Sequence, residues 1–387
     1  MKKILLVMFV VIAFYGYSQS EVKLINKDGI FKIEYKGKEF DANENILTIK
    51  PKVKAYLPEN IELVRENKLG FIDVKIPKGR DIEEYADELQ KTGLFDVVEF
   101  NAYGEYNTFT PNDALLANQW HLSKIMMYDA WDITTGSSCV IVGILDSGID
   151  WEHEDIGQGT DSYQNIFLNL GEDEWSDIND PSTGNGVDDD SNGLTDDWKG
   201  WNYSNTTNDS RPTYYHGTFV SGIVSAKTNN SIGIAGISGG NNNTGVRLLS
   251  YCIGYTAPDG SIIDDAIIDA VDMGAKVINL SFSISTSSAI NTAIQYAINN
   301  NVVVVGYSGN FSSSSVSYPA SNSNVIAVGA STISDTRASF SNYGTELDVV
   351  APGVDIFSTS LNDNYTISRN LFCSASSFSN CCIVVFD

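Results

Sequence analysis

The sequence is short of cations. Its 387 residues carry 49 Asp and Glu against 24 Lys and Arg, a formal net charge of -25. Such a polyanion repels the phosphates of nucleic acids and anionic lipid surfaces, which excludes both as partners. Cysteine is scarce too, at five. Cys139 and Cys252 stand at or in apolar, β-branched runs and are expected as buried small hydrophobes, not as a disulfide framework. The other three, Cys373, Cys381 and Cys382, crowd into the last fifteen residues. No long apolar run follows residue 20, which excludes a stable membrane span. Histidine is the scarcest chemistry: only His121, His153 and His216 are available as a neutral-pH base.

What is present supports a large globular fold. A hydrophobic fraction of 42% and an aromatic fraction of 11% can bury a sizeable core, and the length suits two or three domains. Residues 1–20, MKKILLVMFVVIAFYGYSQS, pair two lysines with a short apolar run and a small, polar ending. They are expected as a signal peptide cleaved near Gln19 or Ser20, hence secretion, with a bare amphipathic anchor as the alternative. Residues 21–110 read as a small α+β module. In DIEEYADELQKTG the apolar residues Ile82, Tyr85, Ala86 and Leu89 share one helical face, with Asp81 as N-cap and Gly93 as stop. GFIDVKI alternates like a strand, FDVVEFNAYGEY reads as another, and NTFTPNDALL reads as a linker.

From about residue 118, apolar runs alternate with helical segments. CVIVGILD, GVRLLSY, AKVINLSF, NVVVVGY, NVIAVGA and LDVVAPG are expected strands. SIIDDAIIDAVDMGA and SSAINTAIQYAINNN are expected helices. This is the pattern of a three-layer α/β domain whose parallel sheet is flanked by helices. Ligands in such sheets meet the carboxyl ends of the strands, where Asp146, Ser281 and Asn310 fall. His216 opens an apolar helix-like run, a setting that fixes a base and limits solvent. Asp146 closes a buried strand, and accepting the Nδ1 proton of a histidine would offset the cost of burying its charge.

The segments VIVGILDSGID, HGTFVSGIVSAKTNN, GIAGISGG, KVINLSFS, NVVVVGYSGN, YPASNSNVIAVGAS and RASFSNYGTELDVVAPG occur in the order and context of the subtilisin-like serine proteases. The resemblance runs from about Trp120 to Tyr365. It implies that polypeptides are the substrates, that Asp146 orients the base and that His216 is the general base. It implies that Asn310 donates to the oxyanion, a turn residue being the alternative, and that Ser281, Phe282 and Ser283 form the edge pairing with extended substrate. Residues 21–110 resemble the family's prodomain, which aids folding and inhibits until cleaved; an unrelated domain is the alternative. Phe219 replaces a histidine common in the family. SISTSSAI stands where many members have glycines, which leaves the side-chain preference open.

The segment GVDDDSNGLTDDWKGWNY carries alternate oxygens at Asp188, Asp190 and Asn192, a turn-permitting Gly193, and Leu194 and Asp196 at the next alternate positions. It resembles a calcium loop found in this place in many subtilisin-like proteases; a solvated acidic loop is the alternative. An EF-hand would need glutamate where Lys199 stands.

The last absence is the nucleophile. After DVVAPGVDIFSTSLNDNYTIS the family would continue Gly-Thr-Ser-(Phe or Met)-Ala-(Ala or Ser)-Pro-His. This chain continues Arg369-Asn370-Leu371-Phe372-Cys373-Ser374-Ala375-Ser376. Encoded AGG-AAC-CTC-TTT-TGC-AGC-GCC-TCA and followed by T, the same string read one nucleotide later gives Gly-Thr-Ser-Phe-Ala-Ala-Pro-His. A one-nucleotide shift near Ser368, in the gene or in its sequencing, is therefore expected. It would make residues 369–387 out of frame and the catalytic domain of residues 111–387 incomplete. Leu371 then stands in the nucleophile's place, and Ser374, Ser376 and Ser377 lack the flanking glycine and proline. The resulting expectation is a secreted, calcium-stabilised serine endopeptidase whose literal chain is inactive. The alternatives are a pseudoprotease that binds extended peptides without cutting and a surface calcium-binding module.

Overall fold

The computed structural model describes residues 22–27, 30–35, 37–53, 57–58, 61–103, 109–157, 163–240 and 245–368. The segments expected as signal peptide and as out-of-frame ending lie outside the described residues. The chain divides into two units, Met1–Asn107 and Thr108–Asp387.

In the first unit, β1 (Val22–Lys27), β2 (Ile30–Tyr35), β3 (Lys38–Pro51), β4 (Leu63–Glu66), β5 (Ile72–Lys75), α1 (Ile82–Lys91) and β6 (Phe95–Ala102) follow in order. The strands form an antiparallel sheet ordered β1-β2-β3-β5-β4, with β6 also on β3. Asp81 caps α1 by accepting from Glu83 N and Glu84 N, satisfying two of the orphan donors of the first turn. Ile82, Tyr85, Ala86 and Leu89 are the buried stripe of that helix, and they pack with Leu47, Ile49, Ile72 and Val74 of the sheet. Strand β3 is longer than its apolar half because its register shifts between Ala42 and Leu47, where a bulge admits the polar segment DANEN.

In the second unit come α2 (Trp120–Lys124), α3 (Met127–Trp131), β7 (Ile141–Asp146), β8 (Trp201–Asn202), α4 (His216–Ser225), β9 (Arg247–Cys252), α5 (Ile263–Asp272), β10 (Val277–Leu280), α6 (Ser288–Asn299), β11 (Val303–Tyr307), β12 (Ile326–Ser331), β13 (Val349–Pro352), β14 (Ile356–Thr359) and β15 (Tyr365–Ser368). Seven strands make a sheet ordered β13-β12-β11-β10-β7-β9-β8, every pairing parallel. Both faces are covered, which is why its strands are apolar at both parities. On one face Val142, Ile144, Val277 and Val305 meet Phe219, Val220, Ile223 and Val224 of α4. On the other, Ile141, Leu145, Ile278 and Val304 meet α5 and α6 through Ile263, Ala266, Ile267, Ile290, Ala293 and Ile294. Each such side chain contributes roughly 2 kcal/mol through burial. This is the three-layer α/β architecture expected from the sequence. The antiparallel hairpin β14–β15 lies on α4, with Ser358 Oγ donating to Phe219 O at 2.7 Å and Thr359 Oγ1 to Thr218 O at 2.8 Å.

Two expectations are corrected. The described part of the linker, residues 109–116, is built into the second unit. Asp113 is 5% exposed and accepts from Asn229 N at 2.8 Å, and Leu115 N donates to Gly233 O at 2.7 Å. Cys139 is exposed, because it precedes β7 instead of joining it, whereas Cys252 is buried at the end of β9. No helix among the described residues is long and apolar enough to cross a membrane.

Candidate active site

Because β7 lies between β10 and β9, the strand order reverses beside it, and the crevice at such a point opens at the carboxyl ends of the strands. Asp146 ends β7 there, and His216 begins α4. His216 Nδ1 stands 2.8 and 2.9 Å from the two carboxylate oxygens of Asp146. The Asp146 side chain is 5% exposed and that of His216 15%, so the pair is shielded but reachable. A carboxylate so placed accepts a hydrogen bond from Nδ1–H, which fixes that tautomer and leaves Nε2 as the basic nitrogen. Ser147 fixes the approach of the two elements: its Oγ donates to Tyr214 O and accepts from Gly217 N, both at 2.9 Å. A Cβ at Gly217 would lie 2.1 Å from Gly148 O, so only glycine lets the first turn of α4 come this close.

The other histidines are structural. His153 is 1% exposed; its Nδ1 accepts from Asp155 N at 3.0 Å and its Nε2 meets Asn364 O at 3.1 Å. His121 is equally buried, and neither ring nitrogen has a hydrogen-bond partner among the described residues. Burial lowers its pKa from 6.5 to about 4. The unfolded chain therefore takes up a proton near pH 6.5 that the native state refuses, so this stabilisation is complete above pH 6.5 and is lost as pH falls towards 4. The expected loss is about 3 kcal/mol. Denaturant unfolding between pH 8 and pH 4 measures it, and His121→Leu is expected to remove this part of the slope.

Ser281, Phe282 and Ser283 follow β10 and share one cleft of about 290 Å³ with Asp146, His216, Tyr214, Ile253 and Tyr255. Ser281 Oγ accepts from the buried Asn279 Nδ2 at 2.8 Å. Asn310 lies just beyond β11, outside the lining of that cleft, on a turn built around Gly309 at φ 112°. The buried Asn342 holds this turn. Its Oδ1 accepts from Phe311 N at 2.9 Å and Ser313 N at 3.0 Å, and its own N donates to Gly309 O at 2.8 Å. Asn342 falls within the segment RASFSNYG, but no local spacing marks it as the clamp on a distant loop.

The acidic loop gathers one carboxylate oxygen each from Glu172, Asp188 and Asp190, all within 4.8 Å of one another. Asp188 and Asp190 were expected there. Glu172 comes from upstream of the loop and has no place in its alternating pattern. Asp188 accepts from Asn192 N at 3.1 Å and Gly193 N at 2.9 Å, with Gly193 at φ 94°. Asn192 Oδ1 accepts from Leu194 N at 2.7 Å, Leu194 packs on the core beneath, and Asp196 Oδ2 accepts from Gly186 N at 2.9 Å. Lys199 is enclosed by aromatic rings, with Nζ 3.5 Å from the centroid of Tyr163 and 4.2 Å from that of Trp151. Burial pushes its pKa down to about 7. Asp155, from the segment between β7 and β8, is a buried carboxylate that no local spacing singles out, and the turn after α4 closes over it. Asp155 accepts from Ile234 N and Asn230 Nδ2, both at 2.8 Å, and burial pushes its pKa up to about 7.

The family model described as Subtilase family matches residues 137–382. The chain is 34% identical over 316 residues to "Thermophilic serine proteinase" of Bacillus sp. (strain AK1), covering 81% of this chain and 69% of that protein. It is 33% identical over 263 residues to "Thermitase" of Thermoactinomyces vulgaris, covering 66% and 78%. It is 38% identical over 277 residues to "Extracellular protease" of Xanthomonas campestris pv. campestris, covering 67% of this chain and 45% of that longer protein. A match of this extent, across the segments that place Asp146, His216 and Asn310, makes the chain a member of the subtilase family.

Proposed function

We propose that this chain descends from a secreted, calcium-stabilised serine endopeptidase and that its nucleophile is encoded one nucleotide out of frame. The carrying observation is the Asp146–His216 pair, with Nδ1 2.8 and 2.9 Å from the two carboxylate oxygens. In the restored frame a serine takes the place of Leu371. Its Oγ attacks the substrate carbonyl carbon as His216 Nε2 takes its proton, and the imidazolium returns that proton to the leaving amine. Asn310 donates its side-chain amide to the oxyanion. Ser147 is no substitute nucleophile, because its hydroxyl is committed to Tyr214 O and Gly217 N. A fluorophosphonate probe tests the reading: the frame-restored chain is labelled and the chain as encoded is not. Labelling of the encoded chain overturns it. The residues as written at 369–376 favour a second reading, a pseudoprotease that binds extended peptides along Ser281–Ser283 without cutting them.

Secretion is supported by the composition of residues 1–20 and by the extracellular naming of the Xanthomonas relative. The prodomain role for residues 21–110 is supported by their own core and sheet. Calcium is supported by the three converging carboxylates, an all-oxygen set of the kind a hard cation prefers. Glu172, Asp188 and Asp190 would hold it, and it would neutralise charge that otherwise repels within the loop. Calcium at about a hundred times its Kd should stabilise by about 3 kcal/mol. That corresponds to a Tm rise of roughly 4 to 5 °C, read by calorimetry against a chelated sample. Glu172→Gln is expected to abolish most of the rise.

A further inference from the structure

Strands β10 and β11 run in parallel with Leu280 opposite Gly306, so the next residues, Ser281 and Tyr307, stand beside each other. Tyr307 is 1% exposed, and its ring belongs to the core on the α4 side of the sheet. Its hydroxyl interacts with the Ser283 side chain and the Asn310 backbone. A bulky phenol therefore fills the space between the substrate edge and the oxyanion asparagine.

An extended peptide paired along Ser281–Ser283, with its reacting carbonyl at Asn310, must place one particular side chain in that space. Side chains alternate along an extended chain, and the residue carrying the reacting carbonyl is the one flanked by both segments. We propose that Tyr307 is a specificity-determining residue that closes this subsite, so that the residue donating the reacting carbonyl is small: Gly, Ala or Ser. This rests on the reading of Ser281–Ser283 as a peptide-binding edge. A bulky apolar residue there meets the Tyr307 ring and is excluded by overlap, whereas a methyl group fits above it.

The test uses the chain as encoded after residues 21–110 have been removed by limited proteolysis, and two pentapeptides identical except for a C-terminal Ala or Phe. The terminal carboxylate fixes the register at Asn310. Isothermal titration is expected to show the Ala peptide binding roughly tenfold or more tightly than the Phe peptide. Tyr307→Ala should reverse that order. Tyr307→Phe, which keeps the ring, should preserve it. Tyr307→Val replaces the alanine variant should that one fail to fold. Equal or tighter binding of the Phe peptide to the unaltered chain overturns the proposal, as does an unchanged ratio in the ring-deleted variant. Binding of neither peptide overturns the peptide-edge reading beneath it, and the proposal with it.

Discussion

Restoring the reading frame after Ser368 is expected to raise peptide hydrolysis roughly a million-fold over the chain as encoded. That magnitude is the one shown by the family's triad enzymes when a triad member is lost. The members act as a unit, so a correctly oriented histidine without a serine achieves almost none of their joint effect. What the described residues hold is the hairpin that leads to that position. β14 and β15 pair up to Ile356 and Ser368, and the hairpin is bonded to the first turn of the helix that begins with His216. Hydrolysis of a peptide anilide by both proteins, purified identically, measures the ratio. A ratio near unity would mean that a hydroxyl outside the family position does the work.

In the frame-restored chain, Asp146→Asn is expected to lower kcat by roughly ten-thousand-fold while leaving the fold intact. The carboxylate contacts His216 Nδ1 through both oxygens and also accepts from Ser147 N at 2.7 Å. An amide of the same shape can keep the backbone contact through its oxygen. It then turns its NH2 group towards Nδ1, which favours the tautomer with the proton on Nε2. That nitrogen is the one that must accept the nucleophile's proton, so the chemistry stops although the geometry survives. The charge that stabilises the imidazolium is lost as well. The check is a steady-state kcat with a parallel circular-dichroism melt. A loss smaller than about tenfold would show that His216 is oriented by something other than Asp146.

Much of this was legible in the sequence wherever the signal was local. The strands around Val142, Val277 and Val305 and the helices around Ala270 and Ala293 were readable from apolar periodicity. So was the Asp81 cap with its stripe at Ile82, Tyr85, Ala86 and Leu89. Asp146 and His216 were legible because each sits where an apolar run ends or begins, which in a parallel sheet means the carboxyl edge. What escaped depends on contacts between segments far apart in sequence. Asn112 and Asp113 look like linker residues, yet their polarity serves hydrogen bonds to the Asn229–Ser231 turn. Glu172 joins Asp188 and Asp190 across a loop, and Asn342 clamps the turn at Asn310 from another. Tyr307 reads as one more strand residue. Its consequence for substrate emerges only when β10 and β11 are laid side by side.

The central claim is that a prepared acid–base pair has lost its serine through one nucleotide. Its most direct test is the nucleotide sequence of the codons for Ser368 to Ser376, read from independently prepared genomic DNA and transcript. The account predicts a run that, read one position later, spells Gly-Thr-Ser-Phe-Ala-Ala-Pro-His. Codons for Arg369–Ser376 whose shifted reading contains no Gly-Thr-Ser would contradict it and leave the peptide-binding pseudoprotease as the better description.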